Sequence, residues 1–256
     1  MTVFVCGREP EDIFCGIYDA WMSRLGHDHV RLEFDGCDRE LFCEYRQVKT
    51  TAEKAAKVTD SIQRKISRQV YEASYKAALS RDENRADRLY RFLVYGFQAG
   101  AAVMDMLQVP AVNAVFSMNR YFDRELDHML GFVRFSQTAN GILFSEIAPE
   151  NDLLVLMAPH FAERLPQENW MIYDCRREKA AVYQAGGGWG ILRVEKSQWQ
   201  SQLHKAQEEA MFEQMWTLFH RTVSIKEREN RACQQNHLPL RYRPYMTEWQ
   251  EPGKRE

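Results

Sequence analysis

His128, His160 and Asp174 are the side chains in this sequence best suited to move a proton. Imidazole takes and gives a proton near neutral pH, and a neighbouring carboxylate can orient it. Arg120, Arg124, Arg134, Arg164, Arg176 and Arg177 lie in the same region and carry guanidinium forks suited to phosphate. Two chemistries follow: acid–base work by His128, His160 and Asp174 on a phosphorylated substrate, or plain binding of an anion by the arginines. The first requires His128, His160, Asp174 and Arg164 to converge on one pocket.

No motif calls for a cofactor or a metal. Gly186-Gly-Gly-Trp-Gly190 lacks the lysine and following Ser/Thr of a phosphate loop, and it is not the GxGxxG of a dinucleotide fold. The six cysteines form no CxxC pair and read as reduced thiols. His27 and His29 make an HxH pair that could join Cys15 or Cys37 on zinc, but no second spaced pair completes the set. A surface turn is the preferred reading.

The elements that must carry these groups follow from periodicity. Residues 111–129 read as a helix with Val112, Val115, Phe116, Phe122 and Leu126 on its apolar face. Asn113, Ser117, Arg120, Arg124 and His128 recur every three or four positions and form one polar stripe along it. Residues 131–136 and 142–147 read as a hairpin around Asn140-Gly141, where Arg134 and Glu146 could pair. Residues 149–165 read as a helix that Pro159 kinks or restarts. A restart would put His160 in a first turn, beside free amide groups that favour an anion. Strands at 170–175 and 180–184 flank the charged turn Arg176-Arg177-Glu178-Lys179, with a last strand at 191–194 after a flexible glycine-rich connection.

Around that region, strand 2–6, helix 10–25 and strand 29–34 suggest a βαβ unit. Residues 51–80 show one helical period, with Arg64, Arg68, Glu72 and Lys76 in line on a face that reads as solvated and supported by a Glu72–Lys76 pair. Residues 81–108 read as a second long helix, where Gly96 and Gly100 allow a close neighbour and which Pro110 ends. Residues 197–221 read as a third that caps the sheet, and residues 238–249 as an extended tail packed on the fold. The chain is therefore expected to be α+β: helix-rich, with a mostly antiparallel sheet in its second half packed by long helices. Residues 1–80 form an N-terminal strand–helix–strand part with a long helix, and 81–250 a core that can share one globule with it.

Composition sets the remaining bounds. The 256 residues are 45% hydrophobic and 27% charged, with net charge -2, as in ordinary globular proteins. That near-neutral total hides a gradient: residues 1–44 carry four Lys/Arg against ten Asp/Glu, whereas 61–91 carry eight against four. A basic face toward an anionic partner is compatible with this. The N-terminus shows no basic leader with an apolar run, so a cytoplasmic location is expected. The apolar window 92–110 holds Gln98 and Asp105, which favours a buried helix and no membrane contact.

Several blocks stand in a fixed order: Tyr95-Gly-Phe-Gln before Gly100, Arg124-Glu125-Leu-Asp-His128, Gly131-Phe-Val-Arg134-Phe135, Pro149 before Asp152-Leu, His160-Phe161-Ala-Glu-Arg164, and Trp170-Met-Ile-Tyr-Asp174. Together, over about residues 81–249, they resemble a bacterial family labelled "probable DNA metabolism protein". That resemblance implies a gene neighbour encoding a radical S-adenosylmethionine (radical-SAM) protein and, in some members, fusion to a domain similar to uracil-DNA glycosylase. It carries over no catalytic residues. The expected function is an accessory protein of DNA metabolism or repair that binds nucleic acid, a radical-SAM partner, or both. Alternatives are a hydrolase-like enzyme acting on a modified nucleotide or DNA end, and a scaffold that touches no nucleic acid.

Overall fold

The computed structural model describes residues 1–195 and 237–249. The expected helix at 197–221 lies outside the described residues. The chain divides into two compact units, Met1–Arg124 and Glu125–Glu256.

In the first unit, β1 (Thr2–Cys6) is buried along its whole length, as suits an apolar central strand. It pairs in parallel with β2 (Val30–Phe34) on one side, as the strand–helix–strand pattern implies, and with β3 (Glu44–Gln47) on the other. The sequence reading omits β3, because Glu-Tyr-Arg-Gln at an exposed edge has no apolar alternation to betray it.

The helix between β1 and β2, α1 (Pro10–Met22), starts with proline in its first turn and a capping box. Glu9 accepts from the third-position backbone and Asp12 accepts from the Glu9 N–H at 3.2 Å. Gly7 makes room for this: a Cβ there would come within 2.2 Å of Asp12 Oδ2.

The single helix expected at 51–80 is two helices, α2 (Ala52–Lys65) and α3 (Arg68–Ala78). Ser67 breaks it by accepting from the Val70 N–H at 3.1 Å, so a new cap replaces continuity. The expected Glu72–Lys76 pair is also replaced. Glu72 holds Arg68 at 2.8 Å and Lys76 holds Asp123 at 2.7 Å, while Arg64 binds Asp60 at 3.0 Å. The helix expected at 81–108 is α4 (Arg85–Ala99), closed by Gly100 at φ +63, and then a 3-10 stretch over Gly100–Asp105. Against Gly96 lies the Ile66 side chain rather than another backbone. Pro110 opens the next helix, α5 (Pro110–Phe132), where its missing N–H costs nothing.

The first unit's core gathers Phe4, Ile13, Ile17, Leu32, Ile62, Leu89 and Phe92. Among the described residues no single helix is long and apolar enough to cross a membrane.

The second unit holds a five-stranded sheet in the order β4 (Ser136–Gln137), β5 (Leu143–Ile147), β6 (Trp170–Asp174), β7 (Lys179–Gln184) and β8 (Gly188–Arg193). Three of its pairings are antiparallel, but β5 and β6 run parallel, so the sheet is mixed. The parallel step follows from α6 (Leu154–Arg164), which carries the chain back between β5 and β6. The expected hairpin shrinks to two residues of β4 because α5 continues to Phe132. The glycine-rich stretch is partly strand, since Gly188 and Gly190 pair with Gln184 and Val182.

Asp12 also accepts from Thr50 Oγ1 at 2.5 Å, so displacing its carboxylate loosens two attachments. Gly7→Ala should therefore lower stability by about 1 kcal/mol, the usual value of a lost cap, read as a lower thermal midpoint.

Candidate nucleic-acid interface

Helix α5 buries Val112, Val115, Met118 and Phe122 and leaves Asn113, Ser117, Arg120 and Arg124 outside, as the stripe implies. Ser117 Oγ donates to Asn113 Oδ1 at 3.4 Å, and Asn113 Nδ2 donates to the Leu107 carbonyl at 3.3 Å. Neither Arg120 nor Arg124 forms an ion pair among the described residues. Asp123, between them in sequence, is held by Lys76 at 2.7 Å. Tyr121 stands on the same exposed face, 52% accessible, and the Arg81 guanidinium lies over its ring at 4.7 Å. Tyr121 is not among the candidates that spacing alone selects. Its signal was an aromatic ring beside the polar stripe, one position from Arg120.

The second unit spends its charges differently. Glu125 is 2% exposed. Its carboxylate accepts from the Glu150 N–H at 2.9 Å, the Asn151 N–H at 2.8 Å, Asn151 Nδ2 at 2.6 Å and the Tyr242 hydroxyl at 3.2 Å. Four donors are about what one carboxylate can accept. Arg241 adds a cation at 3.6 Å and reaches Glu150 at 3.2 Å. Burial pushes the Tyr242 hydroxyl up to about 12, with Glu125 adding to that rise and Arg241 opposing it. The tail is packed as expected, but as 3-10 turns over Leu240–Tyr245 and Thr247–Trp249 rather than extended chain.

The loop at 149–152, which supplies those backbone donors, is gripped from its other side. Arg177 donates to Asp174 Oδ2 at 2.9 Å, to the Pro149 carbonyl at 3.2 Å and to the Glu150 carbonyl. Lys179 holds Asp152 at 2.8 Å. Arg134 binds Glu248 at 2.9 Å and donates to the Gly131 and Val133 carbonyls. The pairing with Glu146 suggested by the hairpin therefore gives way. With residues 131 and 132 still helical, the alternation that would align the two side chains is lost, and Glu146 accepts from the Cys175 thiol at 2.9 Å. Arg134 and Arg177 are structural clamps.

Asp174 is fully buried, and its two oxygens accept from the Arg176 N–H and from Arg177, with no bond to either histidine. Burial raises its pKa above the ordinary 3.8, against the opposing pull of Arg177. His128 stacks on Phe132 with centroids 5.5 Å apart and meets Tyr242 edge-on at 5.9 Å. His160 is exposed within α6 and meets Phe161 edge-on at 5.1 Å. Pro159 sits inside a continuous helix, so the restart that would give His160 free amide groups does not occur. Arg164 and Arg176 are exposed and form no ion pair among the described residues.

Outside this region, His27 Nδ1 bonds the Tyr90 hydroxyl at 2.8 Å, and the Cys15 thiol donates to the Thr51 carbonyl at 3.3 Å. Among the described residues no group of three or more His, Cys, Asp and Glu is placed to hold a metal ion.

A family model described as "Domain of unknown function (DUF4130)" matches residues 83–248. No curated protein matches the chain.

Glu125→Gln places an amide among donors and should cost about 2–4 kcal/mol, read by urea unfolding. A second outcome concerns pH. The folded chain holds the Asp174 proton above 3.8, so this group's contribution to stability is full at acid pH and is lost as pH rises from 3.8 through the raised folded value. Asp174→Asn should remove that downward slope in a series of unfolding curves across acid pH.

Proposed function

The chain belongs to the DUF4130 family, and we propose that it is an accessory protein of DNA metabolism whose first unit binds single-stranded nucleic acid on the exposed face of α5. One observation carries this reading: Tyr121 lies open beside Arg120 and Arg124, which no carboxylate neutralises among the described residues, with the Arg81 guanidinium over its ring at 4.7 Å. An open aromatic face stacks on a base of any sequence, and neighbouring guanidinium groups take the flanking phosphates. Ser117 and Asn113 extend the face with uncharged hydrogen-bonding groups.

Arg164 and Arg176 in the second unit are available for further phosphate contacts, whereas Arg134 and Arg177 are engaged internally. The ordered sequence blocks that resemble the DNA-metabolism family support DNA as the ligand, and the same resemblance supports a radical-SAM protein as the partner. Binding is preferred over hydrolysis because Asp174 bonds Arg177 instead of an imidazole.

The test is fluorescence anisotropy with a labelled oligo-dT and its duplex counterpart at several salt concentrations. The expected affinity for the single strand is in the range of about 1–100 μM at physiological salt, weakening as salt rises. Tyr121→Ala should weaken it by about 1–3 kcal/mol, the value of one stacked base. Arg120→Ala with Arg124→Ala should reduce the salt slope by about 1.4, two single-strand phosphates. Affinity that ignores salt, or a Tyr121→Ala protein that binds as before, rejects the proposal.

A further inference from the structure

The first unit contains a concavity remote in composition from the arginine face. Helices α1, α2 and α4 enclose a cavity of about 260 Å³ that opens to solvent. Its floor is apolar, with Ile17 and Val58 almost fully buried. Trp21 and Phe97 form an aromatic wall, their rings 5.0 Å apart and steeply tilted at 65°. Lys57, Ser61 and Lys65 line the α2 side at successive turns, so two ammonium groups flank a hydroxyl along one edge.

We propose that this cavity binds a small amphipathic anion: a flat two-ring body bearing one carboxylate, sulfonate or similar group. Three features select that occupant. The size is right, since an apolar cavity of about 150 Å³ admits benzene and the larger volume here accommodates a second ring. The aromatic wall suits a flat apolar body through edge and face contacts. The charge is right as well. Among the described residues Lys65 forms no ion pair, and Lys57 pairs with Glu53 alone, at 2.6 Å, in a solvent-exposed pair that a ligand anion can replace at small cost. Lys57 also lies 5.8 Å from the Tyr18 ring, which keeps its ammonium at the cavity edge. The site would place the anion on the lysines with the rings against Trp21.

The experiment is isothermal titration calorimetry of the full chain with 2-naphthalenesulfonate, using 2-naphthol, uncharged at neutral pH, as the shape control. One-to-one binding of the sulfonate is expected, with 2-naphthol at least about fivefold weaker. Lys57→Met with Lys65→Met keeps the side-chain bulk and should weaken the sulfonate by about fivefold while leaving 2-naphthol unchanged. Ser61→Trp fills the cavity and should abolish binding of both. Near-ultraviolet circular dichroism shows that each variant keeps its packing. Absence of binding, equal affinity for 2-naphthol, or sulfonate binding that survives Ser61→Trp overturns the proposal. A concentration-dependent dimer that Ser61→Trp dissolves would overturn it too, by assigning the cavity to a second copy of the chain.

Discussion

The buried carboxylate of Glu125 is the constraint on which the second unit depends. A charge withdrawn from water is tolerable only where donors replace the lost hydration, and Glu125 recruits four of them. Two come from the backbone of the 149–152 loop, one from the Asn151 amide and one from Tyr242 in the tail. The loop is then fixed from its other side by Arg177 on two carbonyls and by Lys179 on Asp152. Because the loop leads into α6, this grip sets where α6 starts and hence how the chain returns for the parallel pairing of β5 with β6. Hydrophobic burial of Leu153, Leu154, Met157 and Trp170 drives the unit together, while the polar network fixes its arrangement.

That demand divides the arginines into two populations. Arg134 and Arg177 are bonded to carboxylates and backbone carbonyls of the fold, so their charge is consumed inside the molecule. Arg120, Arg124, Arg164 and Arg176 are exposed and form no ion pair among the described residues. A count of cations overstates an anion site by including both kinds. The available charge is local, and Tyr121 is what makes the Arg120–Arg124 face chemically distinct from an ordinary solvated stripe.

Much of the architecture was legible because its causes are local. The uninterrupted apolar run of β1, the alternation of β2, the proline and acidic first turn of α1, and the apolar face of α5 each announce themselves within a few residues. Sequence and structure part where two local signals compete. Periodicity ran through residues 51–80 and hid the Ser67 cap, although a serine before a helical run is itself a start signal. Pro159 signals a kink or a restart, and the helix absorbs one missing hydrogen bond and continues without restarting. The polar edge strand β3 had no signal of its own, since its only claim to strand structure is the backbone of β1 beside it.

For the candidate site, the sequence by itself determined which groups share the outer face of α5, because helical geometry fixes that order from spacing alone. It also offered His128, His160, Asp174 and the arginines as candidates for acid–base or anion chemistry. Only tertiary structure decided which of them are free. Arg134 meets Glu248 across 114 positions, Tyr242 meets Glu125 across 117, and Asp174 settles on Arg177 rather than on a histidine. The physical reason is that ionic and hydrogen-bond partners are set by distance in space and by burial, and residue spacing along the chain encodes neither once the partners lie on different elements.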